Sequence, residues 1–495
     1  MDKPKLQTAS FIVSQTQMDL DMEMTVFDVW ATKVHVLMLL ETGIITKESA
    51  KKCLKALLEI EKEISDGKFS INPEKGAQLT LEAKILEKAG DAGYSVHTGR
   101  SRNDQIMVTE LLYLREKMFI FYEEVIFLLE SMQKLASAHR QTVMPGYTHM
   151  QPGKITTVGQ WAMAYFNAFL RSLETVKFYL NQYDMNPLGA CESYGTSWTL
   201  DREFTGRYLG FAKAWEIPQD AIASRGFVQL GYLNVLSEVS LIASKLNEDL
   251  ILFNTYEYGM VELGDDIAQR MHPITGSSVM AQKKNPDVLE IIRSTAPQVI
   301  GSWAIVANIL SSLPMGYNRD TRETKEYINL GFQKTTATIK TLQKVINSLQ
   351  INDKRMLELA TSNYSLTTDL ADFISQKTKV GYRLIYKIVG GVVDEAMIKG
   401  QPLSQLTALE IIQKALELGI KMTISDEEIK QALDPKLVIE KRKNIGGSNS
   451  EVMKKLLDQA LLNIKAERSW LLKKQEDVKK AHQKTESLVK RIIKE

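Results

Sequence analysis

Apolar side chains recur every three or four residues through five long stretches of this 495-residue chain. That spacing commits most of the sequence to long helices. Residues 116–136 carry Met118, Tyr122, Val125, Leu129, Met132 and Leu135, and residues 158–182 carry Trp161, Phe166, Phe169, Leu173, Val176 and Leu180. The pattern returns over 227–254 (Leu230, Leu233, Leu236, Ile242, Leu246, Leu250), over 287–311 (Val288, Ile292, Val299, Trp303, Val306, Leu310) and over 329–350 (Leu330, Ile339, Leu342, Val345, Leu349). Only 28 glycines and 12 prolines interrupt the chain, below the usual combined share of roughly 12%. Helices this long and this close in sequence make a bundle. Strand alternation is scarce, and only short strands are expected, near 209–227.

At roughly 100–200 residues per domain, the length suggests about three domains. The fold expected is all-α, a mainly helical subunit of three domains around a central long-helix bundle. The boundaries expected are an N-terminal helical domain over 1–110, the bundle over 111–355 and a C-terminal helical domain over 356–495. Shorter helices are expected after residue 353, with a turn at Gly390-Gly391 and a loop at Gly446-Gly447. Residues 461–495 hold ten Lys or Arg against five acids, with Trp470, Leu471, Leu488 and Ile492 as apolar positions. We read them as a solvated amphipathic helix rather than an RNA-binding tail.

Bulk charge excludes a strongly basic nucleic-acid binder, since 62 basic and 60 acidic residues leave +2. A local basic pocket for an acidic metabolite remains open. Cys53 and Cys191 are too few for a disulfide framework or a four-cysteine metal site, which fits a reducing cytoplasm. Met1 to Lys5 are not followed by an apolar signal core. No run approaches the roughly 18 apolar residues of a membrane span; the richest, 119–129, is broken by Glu123 and Glu124. A cytoplasmic protein without membrane or nucleic-acid partners is expected.

Four polar segments interrupt the helices. His97-Thr98-Gly99-Arg100-Ser101-Arg102-Asn103-Asp104-Gln105 precedes a helix. A cap needs only Ser101 or Asn103, whereas two arginines beside them fit carboxylate recognition. Met144 to Gly153 contains turn chemistry at Pro145-Gly146, with Thr148 beside His149, one of six histidines. Thr275 to Pro286 carries the Ser277-Ser278 pair, Lys283 and Asn285 ahead of a helix start, where backbone N–H groups favour anions. Tyr317-Asn318-Arg319-Asp320-Thr321-Arg322-Glu323-Thr324-Lys325-Glu326 is dense in mixed charge, and alone it reads as a salt-bridged exposed turn.

Together these segments resemble the fumarase/aspartase superfamily of lyases. Gly276-Ser277-Ser278-x-Met280-x-x-Lys283-x-Asn285-Pro286 is similar to its signature loop. Within it the chain is most similar to the argininosuccinate lyase branch, through His97 to Gln105, Asp201-Arg202-Glu203-Phe204 with Leu209-Gly210-Phe211, Tyr317 to Lys325, Thr367 to Asp372, and Arg442 with Gly446-Gly447. The resemblance runs from about residue 20 to 465.

It implies reversible elimination of L-argininosuccinate to L-arginine and fumarate; the alternative is release of fumarate from another N-substituted aspartate. It also implies a small dicarboxylate substrate, no cofactor or metal, and a homotetramer whose active sites are each shared by three subunits. Catalytic roles fall to Ser277 as base, Lys283 and, with less specificity, His149. Substrate binding falls to Thr32, Ser101, Arg102, Asn103, Thr148, Asn285, Tyr317, Arg322 and Lys325. A non-catalytic scaffold is the competing class, and the intact Ser277, Lys283 and Asn285 set argues against it.

The chain departs from the branch at several positions. Lys75-Gly76-Ala77-Gln78 stands where the branch has E-D-x-H, Arg322 where it has glutamine, Thr32 where it has serine, Ala281 where it has proline, and Pro152-Gly153-Lys154 where it has R-A-Q. Fewer acids and an added cation disfavour a guanidinium substrate and favour an extra carboxylate.

Overall fold

The computed structural model describes residues 9–495. The expectation for Met1 to Lys5 lies outside the described residues. All five stretches are helices: Arg102–Ala138, Val158–Gln182, Phe227–Asn254, Asp287–Leu310 and Thr324–Ser348. The first begins well before its periodic run because Ser101 and Asp104 close a capping box at its start. The second begins where the Thr157 hydroxyl accepts the Gln160 N–H, 3.1 Å away.

Their apolar faces meet in one large core containing Phe121, Tyr122, Phe166, Phe169, Leu236 and Leu342. The Phe227–Asn254 helix is long and apolar enough to cross a membrane by length and composition. Its Leu233, Leu236, Val239, Leu246 and Leu250 are buried in that core instead.

Two further helices are as long. Gln15–Glu41 is buried on most sides and packs with Lys47–Ser65 and Gly76–Ala89 around Val36, Cys53, Leu57 and Leu81. Ser450–Lys494 runs 45 residues, about 68 Å at 1.5 Å per residue. It is helical as expected, but its apolar face is not solvated. Met453, Leu457, Ile464 and Leu471 join the large core, and Val489 and Ile492 join the core of the first helices. Another core gathers residues from Ala360 to Ile439, with Val143 and Ile155 packed into it.

The strands differ from expectation. Lys213–Ala214 is a short strand in the expected region, parallel to Met185–Asn186. Val261–Glu262 also pairs with Gln350–Ile351. The longest pair was unforeseen: β1 (Val143–Thr148) runs antiparallel to β2 (Gln151–Thr157) as a hairpin. Pro145-Gly146 is not its turn. It forms a bulge inside β1, where a side chain on Gly146 would stand 2.4 Å from the Lys154 carbonyl oxygen.

Gly390-Gly391 is not a turn either; both lie inside the Tyr382–Ile398 helix. Gly391 admits the Lys414 stem, which a Cβ would meet at 2.6 Å. Gly446-Gly447 does form a loop, with Gly446 at φ 77°.

Candidate active site

The Ser277 loop is drawn into a tight turn by its own backbone. Gly276 bridges to Lys284, and the Asn285 N–H donates to the Thr275 carbonyl at 2.8 Å. A Cβ on Gly276 would lie 2.3 Å from the His272 nitrogen, so only glycine fits. The turn aims two N–H groups at the Ser277 hydroxyl oxygen: Val279 at 3.2 Å and Met280 at 3.0 Å. Donors so placed stabilise negative charge on that oxygen and make the hydroxyl a stronger acid. Asn285 Nδ2 donates to the Gly276 carbonyl at 3.3 Å.

The adjacent lysines divide their work. Lys284 Nζ is tied to Glu262 at 3.1 Å, Asp265 at 2.9 Å and the Leu263 carbonyl at 2.6 Å. Lys283 is exposed and has no ion partner among the described residues. One lysine anchors the loop, and the other keeps its charge available to an anion.

Thr148 and His149 sit at the tip of the β1–β2 hairpin. Thr148 pairs with Gln151, leaving His149 (φ 55°) and Met150 (φ 59°) as a two-residue turn. Both adopt the left-handed conformation that such turns require and usually give to Asn-Gly. For a non-glycine residue this costs about 1–2 kcal/mol. The turn exposes both Thr148 and His149. Arg442 secures β2 from the C-terminal layer: it donates to the Ile155 carbonyl, and its Nη2 meets both Asp369 carboxylate oxygens at 3.1 Å. Two sequence landmarks more than seventy residues apart therefore brace the hairpin.

At the opposite end of the Arg102–Ala138 helix lies a cleft of about 280 Å³. Arg102, Asn103, Tyr317 and Arg322 line it, together with Lys75, Gly76, Gln78, Arg225 and Arg319. The departures at Lys75, Gln78 and Arg322 thus meet in one wall. Arg322 is not in an exposed turn: it is 8% exposed and donates to Gln17 and Asp21 at 2.8 and 2.9 Å. Lys325 lies just below, bound to Asp21 and 3.4 Å from Glu110.

Ser101 and Thr32 do not line this cleft. Ser101 caps the long helix, and Asp104 accepts its N–H together with those of Gly189 and Cys191. Burial pushes the Asp104 carboxyl up to about 7, against the pull of Arg100 and these donors. Thr32 is fully buried; it donates to Asp28 at 3.3 Å and accepts from Arg100 at 3.0 Å. Asn103 Nδ2 donates to the Glu192 carbonyl at 2.9 Å.

The cleft meets neither the hairpin nor the Ser277 loop within one chain. The Arg102–Ala138 helix, 37 residues or about 55 Å, separates the cleft from the hairpin. The Asp287–Leu310 helix, 24 residues or about 36 Å, separates the Ser277 loop from Tyr317.

Sequence reasoning named Lys75 and Arg319 without giving either a role, and missed Asp21, Glu110 and Arg225. The last three lie in stretches with no local motif, and only the fold assembles them. The Val279 and Met280 amides were missed as well, since a backbone donor leaves no mark on residue type.

Known proteins share this sequence pattern and this fold. The family described as lyase matches residues 8–301, and the argininosuccinate lyase C-terminal family matches residues 364–440. Argininosuccinate lyase of Methanocaldococcus jannaschii is 33% identical over 445 residues, covering 89% of this chain and 88% of that protein. Argininosuccinate lyase of Streptococcus thermophilus is 33% identical over 442 residues, covering 89% of this chain and 92% of its own length. EDDS lyase in complex with formate superposes with a TM-score of 0.85 at 26% identity, covering 100% of this chain and 97% of the other. Class II fumarase of Schistosoma mansoni shares the fold, with a TM-score of 0.67 at 16% identity over 85% of this chain and 90% of its own.

Sequence family and fold together define a lyase built on a long-helix bundle. The chain belongs to the lyase family of the fumarase/aspartase superfamily and ends in a C-terminal region of the argininosuccinate lyase type.

Proposed function

We propose that the protein is a carbon–nitrogen lyase that releases fumarate from an N-substituted aspartate. The observation that carries this reading is the Ser277 hydroxyl held by two backbone N–H groups, in the same loop as Lys283, which has no ion partner among the described residues. Ser277 takes the proton from the carbon next to a carboxylate. That carboxylate gains charge, and Lys283 and Asn285 hold it. Thr148, Ser101 and Asn103 orient the substrate carboxylates, and His149 returns a proton to the leaving nitrogen. Arg102, Tyr317 and Arg322 serve the amine, and Lys325 acts from beneath them through the shared Asp21 and Glu110. The separations along the helices support sites shared between subunits, and the assembly proposed is a homotetramer in which three subunits contribute to each site.

Two adduct classes compete. The curated relatives are argininosuccinate lyases, which makes argininosuccinate the first substrate to try. The similar structure named EDDS lyase and the cationic cleft favour another N-substituted aspartate.

The test follows fumarate by its ultraviolet absorbance while purified protein is offered argininosuccinate and a panel of other N-substituted aspartates. We expect fumarate from at least one adduct with the natural protein, and release lowered about 10²–10⁴-fold with Ser277→Ala. A folded protein that releases fumarate from no adduct would sink the reading.

A further inference from the structure

The cleft wall carries five cationic side chains, Lys75, Arg102, Arg225, Arg319 and Arg322, and one acidic side chain, Glu74. Two of the cations are neutralised from beneath. Glu110 pairs with Arg225 at 2.7 Å, and Asp21 pairs with Arg322 at 2.9 Å. Both acids also serve Lys325, so two carboxylates are shared among three buried cations. Lys75, Arg102 and Arg319 have no carboxylate partner among the described residues.

A guanidinium or ammonium tail would enter this wall against like charge, at a desolvation cost, with Glu74 the only acid lining it among the described residues. A carboxylate tail would meet guanidinium forks suited to two parallel hydrogen bonds. Low-dielectric walls would strengthen that attraction.

We propose that this cleft holds the leaving amine and selects one that carries its own carboxylates, an amino dicarboxylate rather than a cationic amino acid. The proposal rests on the carbon–nitrogen lyase reading. In the elimination, the bond between the aspartate carbon and the nitrogen breaks. The proton on the neighbouring carbon passes to Ser277, and the nitrogen regains a proton. The products are fumarate and the free amino dicarboxylate, with no oxidant or further reactant.

The test compares two probes at matched concentration: argininosuccinate, and the adduct of fumarate with the amino group of L-glutamate. Fumarate release should show kcat/KM higher for the glutamate adduct by about tenfold or more, the scale of one charged hydrogen bond. Arg319→Gln changes an exposed side chain and keeps the fold. It should cut that preference about threefold through KM, on the scale of a partly screened charge. Arg322→Gln should cut it further.

Calorimetric titration with free L-glutamate and L-arginine gives a readout independent of turnover, and glutamate should bind more tightly. Equal or higher kcat/KM for argininosuccinate overturns the proposal, as does tighter binding of arginine or no binding of glutamate. Fumarate from neither adduct, nor from any other N-substituted aspartate of the panel, while glutamate still binds overturns the lyase reading and leaves the anion preference of the cleft standing.

Discussion

Arg225 grips Glu110 through two hydrogen bonds, Nε at 3.1 Å and Nη2 at 2.7 Å, with both side chains 2% exposed. Glu110 belongs to the Arg102–Ala138 helix, and Arg225 stands just before the Phe227–Asn254 helix. The pair therefore locks two bundle helices together under the cleft. Arg225→Met would leave Glu110 buried without its main partner. The expected cost is about 3–5 kcal/mol, read as a lower urea midpoint for unfolding.

The Ser277 turn tolerates little change. Ser277→Ala should lower turnover by about 10²–10⁴-fold with an unchanged circular dichroism spectrum. Gly276→Ala should be comparably damaging although it touches no reacting atom, because its Cβ would press on the His272 backbone and shift the N–H donors. Normal fumarate release by Gly276→Ala would refute the role given to this turn.

Lys283→Met and Lys284→Met should fail differently. Loss of the free charge at Lys283 should remove about 2.7–4 kcal/mol of transition-state stabilisation, seen as lower kcat. Lys284→Met frees Glu262 and Asp265 from the loop. It should raise KM and hasten proteolysis near residue 270, while kcat falls less. Identical kinetics in the two variants would contradict the division of labour.

His35 and His97 flank the buried Arg100 and should sensitise the fold to acid. Burial first, then Arg100, holds His35 well below the ordinary histidine range; burial, Arg100 and Arg102 bring His97 down to about 4. The unfolded chain then binds more protons than the folded one between the two pKa values, so stability rises with pH there. Stability present above the ordinary histidine pKa of about 6.5 should decline as pH falls from there through about 4. His97→Gln should flatten part of that decline in urea midpoints measured across the range.

Much of this molecule was legible in the sequence, because long helices with one apolar face advertise their period. The Gln15–Glu41 helix was not, since it is buried on most sides and its apolar residues follow no single stripe. The hairpin was hidden because its turn falls on His149-Met150, residues with no turn preference, while Pro145-Gly146 carried a false turn signal. The site segments stood out as polar runs at the ends of apolar helices. Their ion pairs did not. Asp21 and Arg322 are 301 residues apart, and Glu110 and Arg225 are 115 apart. A segment that reads as an exposed turn of mixed charge became a buried wall once its partners arrived.

The Ser450–Lys494 helix has a consequence for how the chain is made. Trp30 donates its indole N–H to Thr485, the fully buried Lys33 pairs with Glu486, and Val489 and Ile492 complete the core around Cys53 and Leu57. These helices leave the ribosome long before residues 485–492 and thus cannot seal their interior until those residues have been synthesised. Throughout translation they would present an open apolar surface, with Lys33 held by Glu61 but still lacking Glu486, so a chaperone that shelters nascent chains would have its longest engagement with this N-terminal layer.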